Sequence, residues 1–380
     1  MDATIRSTRL NRDELAKYVH RPQFKQVVYQ APDYANQLGP FECKLPSYNF
    51  TVLQDVLLDM DIENDPWVKQ TRARLAKLAP GPSRVQLDQK LSKTIAKQDT
   101  ATHRGLREFL TAAAVICVDV GPWAADWYVA RVIEKAKAAG GPFQHVVRRW
   151  RDTEKHYLLE TLEKVPFMPV SYDPAEICDG CNPRFNILIE TLMNEKLDFE
   201  SSEMEFSGII FVTRRDVVIA LSEVLQHHPF TKDAFRIGSL LGSSADSRRT
   251  SFLDITRSLI TQATAETLKD FKLGDKNLIV STSVAEEGID VQSCCSVIRW
   301  DLPQNMISWA QSRGRARKRK STFVLMTEID GGASVLRWED LERQMVELYN
   351  DPSRVIQEEE EEDPEDPGEE FVVFRVEKTG

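Results

Sequence analysis

Five short strand-like runs in the second half of the chain constrain its fold more than any other feature. They are Gly208–Val212 (GIIFV), Ile237–Leu241 (IGSLL), Asn277–Val280 (NLIV), Ser296–Trp300 (SVIRW) and Phe323–Met326 (FVLM). Runs of four or five mostly apolar residues, without strict polar alternation, suit strands covered on both faces. Helical spacing precedes the first of them, at Arg184–Lys196, and separates others, from Asp216 onward (VVIALSEVL) and at Glu266–Phe271. Strands alternating with helices predict an α/β domain, a parallel sheet with helices on both faces. Ligands on such sheets sit beyond the carboxyl ends of the strands. That places Thr213, Thr282 and Ser283 on the functional edge.

The first half reads differently. Residues 1–45 hold one expected helix (Arg12–Tyr18) and an extended piece, QFKQVVYQAP. Residues 48–78 have helical spacing until Pro80, Gly81 and Pro82 interrupt, and 84–139 then run long with few breakers. Leu106, Phe109, Leu110, Ala113, Ala114 and Cys117 recur at helical intervals, as do Trp127, Val129, Val132 and Ile133. Gly121-Pro122 marks a kink or break, and 143–165 add another helix with Arg148, Arg149 and Arg151 among its polar positions. The block is all-α, and Trp123, Trp127 and Tyr128 read as core. The expected division is 1–45, 46–168 (helical), 169–335 (α/β) and 336–380.

Charge is distributed unevenly. The chain of 380 residues carries a net −10, yet residues 358–370 (EEEEEDPEDPGEE) alone hold ten carboxylates and no base. The remainder is neutral, and within it Arg313–Lys320 places six cations in eight residues. Local sign matters more than net charge for phosphate contact. The acidic run, with two prolines and no apolar residue, reads as a solvated linker between an amphipathic helix (Trp338–Tyr349) and a strand-like stub, FVVFRVEKTG.

Six cysteines (43, 117, 178, 181, 294, 295) are scattered too widely for a disulfide framework, so a reducing compartment, cytoplasmic or nuclear, is expected. Cys178-Asp-Gly-Cys181 is a lone pair. Structural zinc takes four ligands, so the pair reads as a polar turn with two free thiols and no metal site is expected. No apolar run approaches the ~20 residues of a membrane span, and no membrane partner is expected. The start, MDATIRSTRLNRDEL, has no apolar h-region and reads like the middle of a longer protein.

The densest stretch is 274–326. A strand ends in Ser281, Thr282 and Ser283, an acidic glycine turn follows (Glu286, Glu287, Gly288, Ile289, Asp290), and the arginine-rich segment comes after a second strand. Hydroxyls at a strand end and guanidinium forks both match phosphate oxygens. Thr213, Arg214 and Arg215 close an earlier strand in the same manner.

STSVAEEGID resembles motif V of superfamily 2 helicases, QSRGRAR resembles motif VI, and GIIFVTRR resembles motif IV. EEGID followed by RWDLP and QSRGRAR most resembles the helicase region of Dicer-like proteins, and VDVGPWAADWYVARVI resembles their helical insertion domain. The resemblance implies a second RecA-like domain over roughly 205–330 and a helical insertion that touches double-stranded RNA or carries a protein cofactor such as a double-stranded-RNA-binding protein. It implies RNA contact by Thr213, Arg214, Thr282 and Ser283. It implies nucleotide contact by Gly288, Asp290 (near the ribose), Gln311, Arg315 and Arg317, the two arginines acting as catalytic fingers on the γ-phosphate. Lys318 stands where the superfamily commonly has its last arginine. If this segment is helical, Gln311, Arg315 and Lys318 share one face and Arg313, Arg317 and Lys320 another.

The chain contains no GxxxxGK[ST] loop, no DExH or DExD tetrad and no RNase III acidic signature. In the family the first two lie in the first RecA-like domain. The resemblance therefore implies ATP and Mg²⁺ sites completed only with that domain, and residues 1–45 as its tail. Two alternatives stand beside a Dicer-like fragment: a RIG-I-like or other superfamily 2 helicase without dicing, and a non-enzymatic RNA- or protein-docking module.

Overall fold

The structure, a computed structural model, describes residues 22–37, 39–138, 151–241, 264–282, 294–318 and 320–329, with Trp338, Asp340, Leu341, Arg343, Gln344 and Glu347. The expected helix Arg12–Tyr18, Arg148, Arg149, the Gly242 loop, the acidic run and the terminal stub lie outside the described residues. The chain divides into two units, Met1–Ser334 and Val335–Gly380. In the second, the described residues are helical, and Asp340 accepts hydrogen bonds from Arg343 and Gln344.

In the first unit, β1 (Gln23–Tyr29), β2 (Gly208–Phe211), β3 (Ile237–Leu240), β4 (Leu278–Ser281), β5 (Ser296–Arg299) and β6 (Thr322–Glu328) form one sheet. The order is β1-β6-β5-β2-β4-β3, and every pairing is parallel. All residues of β2, β4 and β5 are buried, as strands covered on two faces must be. The covering helices include α8 (Pro183–Glu200), α9 (Arg215–His227), α10 (Thr264–Leu273) and α11 (Met306–Arg313).

The extended piece near the start departs from its expected place in the tail of a preceding domain. Residues 23–29 are the edge strand of this same sheet, in seven-residue register with β6. Its alternating exposure marks an edge. Phe24 stacks near Trp309 and Phe323, and Lys25 pairs with the buried Glu195 of α8 at 2.7 Å. The helical block is therefore inserted between the first strand of the sheet and the rest.

That block comprises α1 (Tyr48–Leu58), α2 (Pro66–Lys77), α3 (Pro82–Lys97), α4 (Ala101–Asp119), α5 (Pro122–Lys137), α6 (Asp152–Glu163) and α7 (Pro174–Asp179). Residues 84–139 contain a break that apolar spacing does not reveal. Gln98 adopts the left-handed conformation (φ 48°) and ends α3, and Thr100 caps α4. The buried Asp65 caps α2 and also accepts from Thr100 and Thr102, tying the starts of α2 and α4 together. Arg151 is not an interior helical residue but the N-cap of α6.

The apolar stripes of α4 and α5 meet, with Phe109, Ile116, Tyr128 and Val132 fully buried, and α9 packs on both helices. One continuous apolar core runs from the helical block into the sheet. The junction requires glycine at Gly121, where φ is +145° and a Cβ would lie 2.2 Å from the Gly180 carbonyl oxygen. Beside it the Asn182 amide donates to the carbonyls of Cys117 and Val118, closing the end of α4.

Candidate functional site

β2 and β4 are hydrogen-bonded neighbours and bring two threonines to the carboxyl edge almost in step, since Phe211 lies opposite Ser281. The amide of Val212 donates to Ser281 O (2.8 Å), and that of Thr282 to Leu240 O (3.2 Å). Thr213 is exposed, and its amide donates to Asp301 Oδ2 at 2.7 Å. Thr282 is buried. Arg214 precedes α9 and holds both carboxylate oxygens of Asp216. Burial opposes its charge, but Asp216 outweighs burial and raises its pKa. Ser283, Gly288 and Asp290 lie outside the described residues.

The arginine-rich segment differs from a continuous helix. α11 ends at Arg313, with Gly314 as its C-cap. Ser312 Oγ bonds back to Ser308 O and Trp309 O, an arrangement that competes with helix continuation. Ala316 then forms a parallel bridge with Cys294, whose amide donates to Arg315 O at 3.0 Å. The shared helical faces expected for Gln311, Arg315 and Lys318, and for Arg313, Arg317 and Lys320, therefore do not form. Gln311 is half-buried on α11, Arg315 is half-buried in a turn, and Arg317 is exposed with its Nε donating to Gly314 O.

Topology separates these groups. Cys294 and Ala316 lie just before β5 and β6, at the amino end of the sheet, whereas Thr213 and Thr282 leave its carboxyl end. A four-residue strand places the two ends about 13 Å apart. The structure thus brings the hydroxyls together and the arginines together, but not the two sets with each other.

Two features escape sequence reasoning. The first is Arg184, a residue that the helical pattern leaves indistinguishable from a surface arginine. Its side chain is 8% exposed. It donates to Asp119 Oδ1 (2.7 Å), Asp301 Oδ1 (3.0 Å) and Trp300 O, and its guanidinium lies 4.1 Å from the Trp300 ring centroid and 4.8 Å from that of Tyr29. Burial pushes the Asp119 carboxyl up to about 6 despite the opposing pull of Arg184, with Asp301 adding repulsion. The second is the hairpin α2–α3, which packs around its own small core of Ile62, Val68 and Leu91. Residues 66–97 carry eight Lys or Arg against one carboxylate, Asp88, and all eight cations are exposed. A charge count over this window would have found it, but the net −10 hides it.

Cys178 and Cys181 are free thiols. Cys178 Sγ lies 3.5 Å from His228 Nε2, Cys181 Sγ donates to Ile177 O (3.0 Å), and burial raises both thiols, Cys181 to about 12. Among the described residues no group of three His, Cys, Asp or Glu side chains could hold a metal ion. No helix among the described residues is long and apolar enough to cross a membrane.

A parallel sheet covered by helices, with a helical block inserted after its first strand, is the architecture of a RecA-like domain that carries a helical region. The helicase conserved C-terminal domain family matches residues 186–320. The chain is 34% identical over 363 residues to Dicer-like protein 2 of Aspergillus fumigatus, covering 94% of this chain and 24% of that protein. It is 31% identical over 381 residues to Dicer-like protein 2 of Neurospora crassa, covering 100% of this chain and 22% of the relative. Among solved structures, the Pyrococcus furiosus Hef helicase domain aligns with a TM-score of 0.37 and 16% identity, over 87% of this chain and 60% of that one. The chain thus resembles the superfamily 2 helicase region of the Dicer-like proteins. It spans about a quarter of the length of the relatives it matches.

Proposed function

We propose that this chain is the second half of an ATP-dependent translocase or helicase module acting on double-stranded RNA, within a Dicer-like endoribonuclease of RNA silencing and antiviral defence. The observation that carries the reading is the pairing of Thr213 and Thr282 at one strand edge with the Arg315–Arg317 turn at the opposite end of the sheet. Groups so far apart serve two ligands more readily than one. On this reading Thr213, Arg214, Thr282 and Ser283 meet RNA phosphates, which position a strand without reading its bases. The exposed cations of the α2–α3 hairpin add phosphate contacts, and the helical block is also where a double-stranded-RNA-binding protein would dock.

Gly288, Asp290 and Gln311 would hold the nucleotide, and Arg315 and Arg317 would place positive charge against its terminal phosphate. ATP supplies the free energy of phosphoanhydride cleavage when bound. The phosphate loop and the metal-holding acids are assigned to a first RecA-like domain of the same protein, so the chain by itself is expected to bind ATP weakly and to hydrolyse none.

Filter binding of a blunt RNA duplex over a salt series tests the RNA half. A negative log–log slope, with affinity lowered by Thr213→Val and by Thr282→Val, is the expected result. No binding at low salt would instead favour a protein-docking module. Measurable ATP turnover by the purified chain, lost on Arg315→Ala, would overturn the split-site half.

A further inference from the structure

Behind the carboxyl edge lies a buried support. Asp301 follows β5 and both its oxygens are engaged, Oδ1 by Arg184 at 3.0 Å and Oδ2 by the Thr213 amide at 2.7 Å. Arg184 is held in turn by Asp119, the last residue of α4. It is sandwiched between Tyr29 at the end of β1 and Trp300 just after β5. The guanidinium is thus a planar fork in a slot, with two aromatic faces, two carboxylates and a carbonyl fixing its orientation. Only arginine offers donors in several directions within one stackable plane.

The chain of contacts Asp119–Arg184–Asp301–Thr213 runs from the inserted helices to the exposed threonine. Asp301 is 25% exposed and Arg184 8%, so solvent screens this chain weakly at its centre. Asp119 ends the helix whose last carbonyls Asn182 closes, two residues before Arg184, so α4 and α8 are locked at the same point.

We infer that Arg184 is a positioning residue for phosphate contact: through Asp301 it sets the backbone at Thr213, and through Asp119 it makes that setting depend on the helical insertion. The inference rests on the phosphate-contact reading of Thr213 and extends it. A nucleic-acid strand pulling on Thr213 would load α4 through this relay, and a partner displacing α4 would release Thr213.

Asp301→Asn is the cleanest perturbation. It preserves shape but leaves one acceptor oxygen for two donors, so either Arg184 or the Thr213 amide loses its partner. Arg184→Lys is the second variant; it leaves Asp301 untouched while removing the stacked fork. Hydrogen exchange on the full chain of 380 residues, resolved over the peptide 208–216, should quicken by about tenfold or more in both variants, as expected for loss of a charge-assisted hydrogen bond. Peptides from α5 and β6 should keep their wild-type rates, and duplex affinity should fall as far as in Thr213→Val.

Unchanged exchange at 208–216 in Asp301→Asn overturns the inference, and so does exchange that quickens equally across all peptides, which would make Arg184 a plain structural tie. If Arg184→Lys fails to fold, Asp301→Asn decides alone. If Thr213→Val leaves duplex affinity unchanged, the phosphate reading of Thr213 falls, and the exchange result still decides whether Arg184 positions that edge.

Discussion

Replacing Asp119 by asparagine should stabilise the chain at neutral pH, although it removes one partner of a buried arginine. Burial raises the Asp119 pKa from 3.8 to about 6, against the pull of Arg184 and with repulsion from Asp301. A carboxyl whose folded pKa lies above its unfolded value binds its proton more tightly in the folded state. Its stabilising contribution is complete below pH ~4 and is lost as pH rises through about 6. Two units at 1.36 kcal/mol each set an upper bound of about 3 kcal/mol, and with the carboxylate 22% exposed to screening water the expected change is about 2 kcal/mol. Asparagine mimics the neutral carboxyl and does not titrate. Urea denaturation of both proteins from pH 4 to pH 8 gives the comparison, because other acids titrate in each and cancel in the difference. The stability of Asp119→Asn relative to wild type should rise across pH 4–7 and then level off. A flat difference would refute the reasoning. A difference of opposite slope would show that the Arg184 charge dominates burial and holds Asp119 below the ordinary carboxylate range.

Other outcomes follow from individual side chains. Gly121→Ala places a Cβ 2.2 Å from Gly180 O at a backbone φ of +145° and should cost about 2–5 kcal/mol, read as a lower midpoint in thermal melting. Asp65 shows the opposite linkage to Asp119. Burial raises its pKa, but hydrogen bonds from His103, Thr102, Thr100 and the Trp67 amide outweigh that and lower it. Its contribution is present above pH ~4 and lost on acidification, so Asp65→Asn should remove part of the acid sensitivity of the helical block in far-ultraviolet circular dichroism. Lys90, Lys93 and Lys97 lie on one flank of α3 at i, i+3 and i+7. Replacing all three by alanine should lower the salt slope of duplex binding by about one for each RNA phosphate no longer neutralised, without shifting the melting midpoint.

What was legible in the sequence depended on whether a feature is local. Apolar runs placed all five strands from Gly208 onward, because a strand buried on both faces must be apolar throughout, whatever its neighbours. The piece at 23–29 was legible as extended but not as part of this sheet, because its partner, β6, lies about 300 residues away. The arginine segment shows the same limit on a smaller scale. Cationic spacing of three and four is compatible with a helix, but a bridge to Cys294 decides where α11 stops, and Ser312 and Gly314 were the local signs of it. Arg184 was the hardest to read. An arginine in the first turn of a helix is ordinary, and nothing nearby announces that Asp119, Trp300, Asp301 and Tyr29 will close around it. Yet a buried guanidinium is costly unless its donors are met; the terminal nitrogens of Arg184 are met by groups from distant elements, while its Nε has no hydrogen-bond partner among the described residues. Contacts that sequence spacing cannot foresee are also those that join separately legible parts. In this chain they link an inserted helical block to the strand edge whose threonines are the candidates for holding a phosphate backbone.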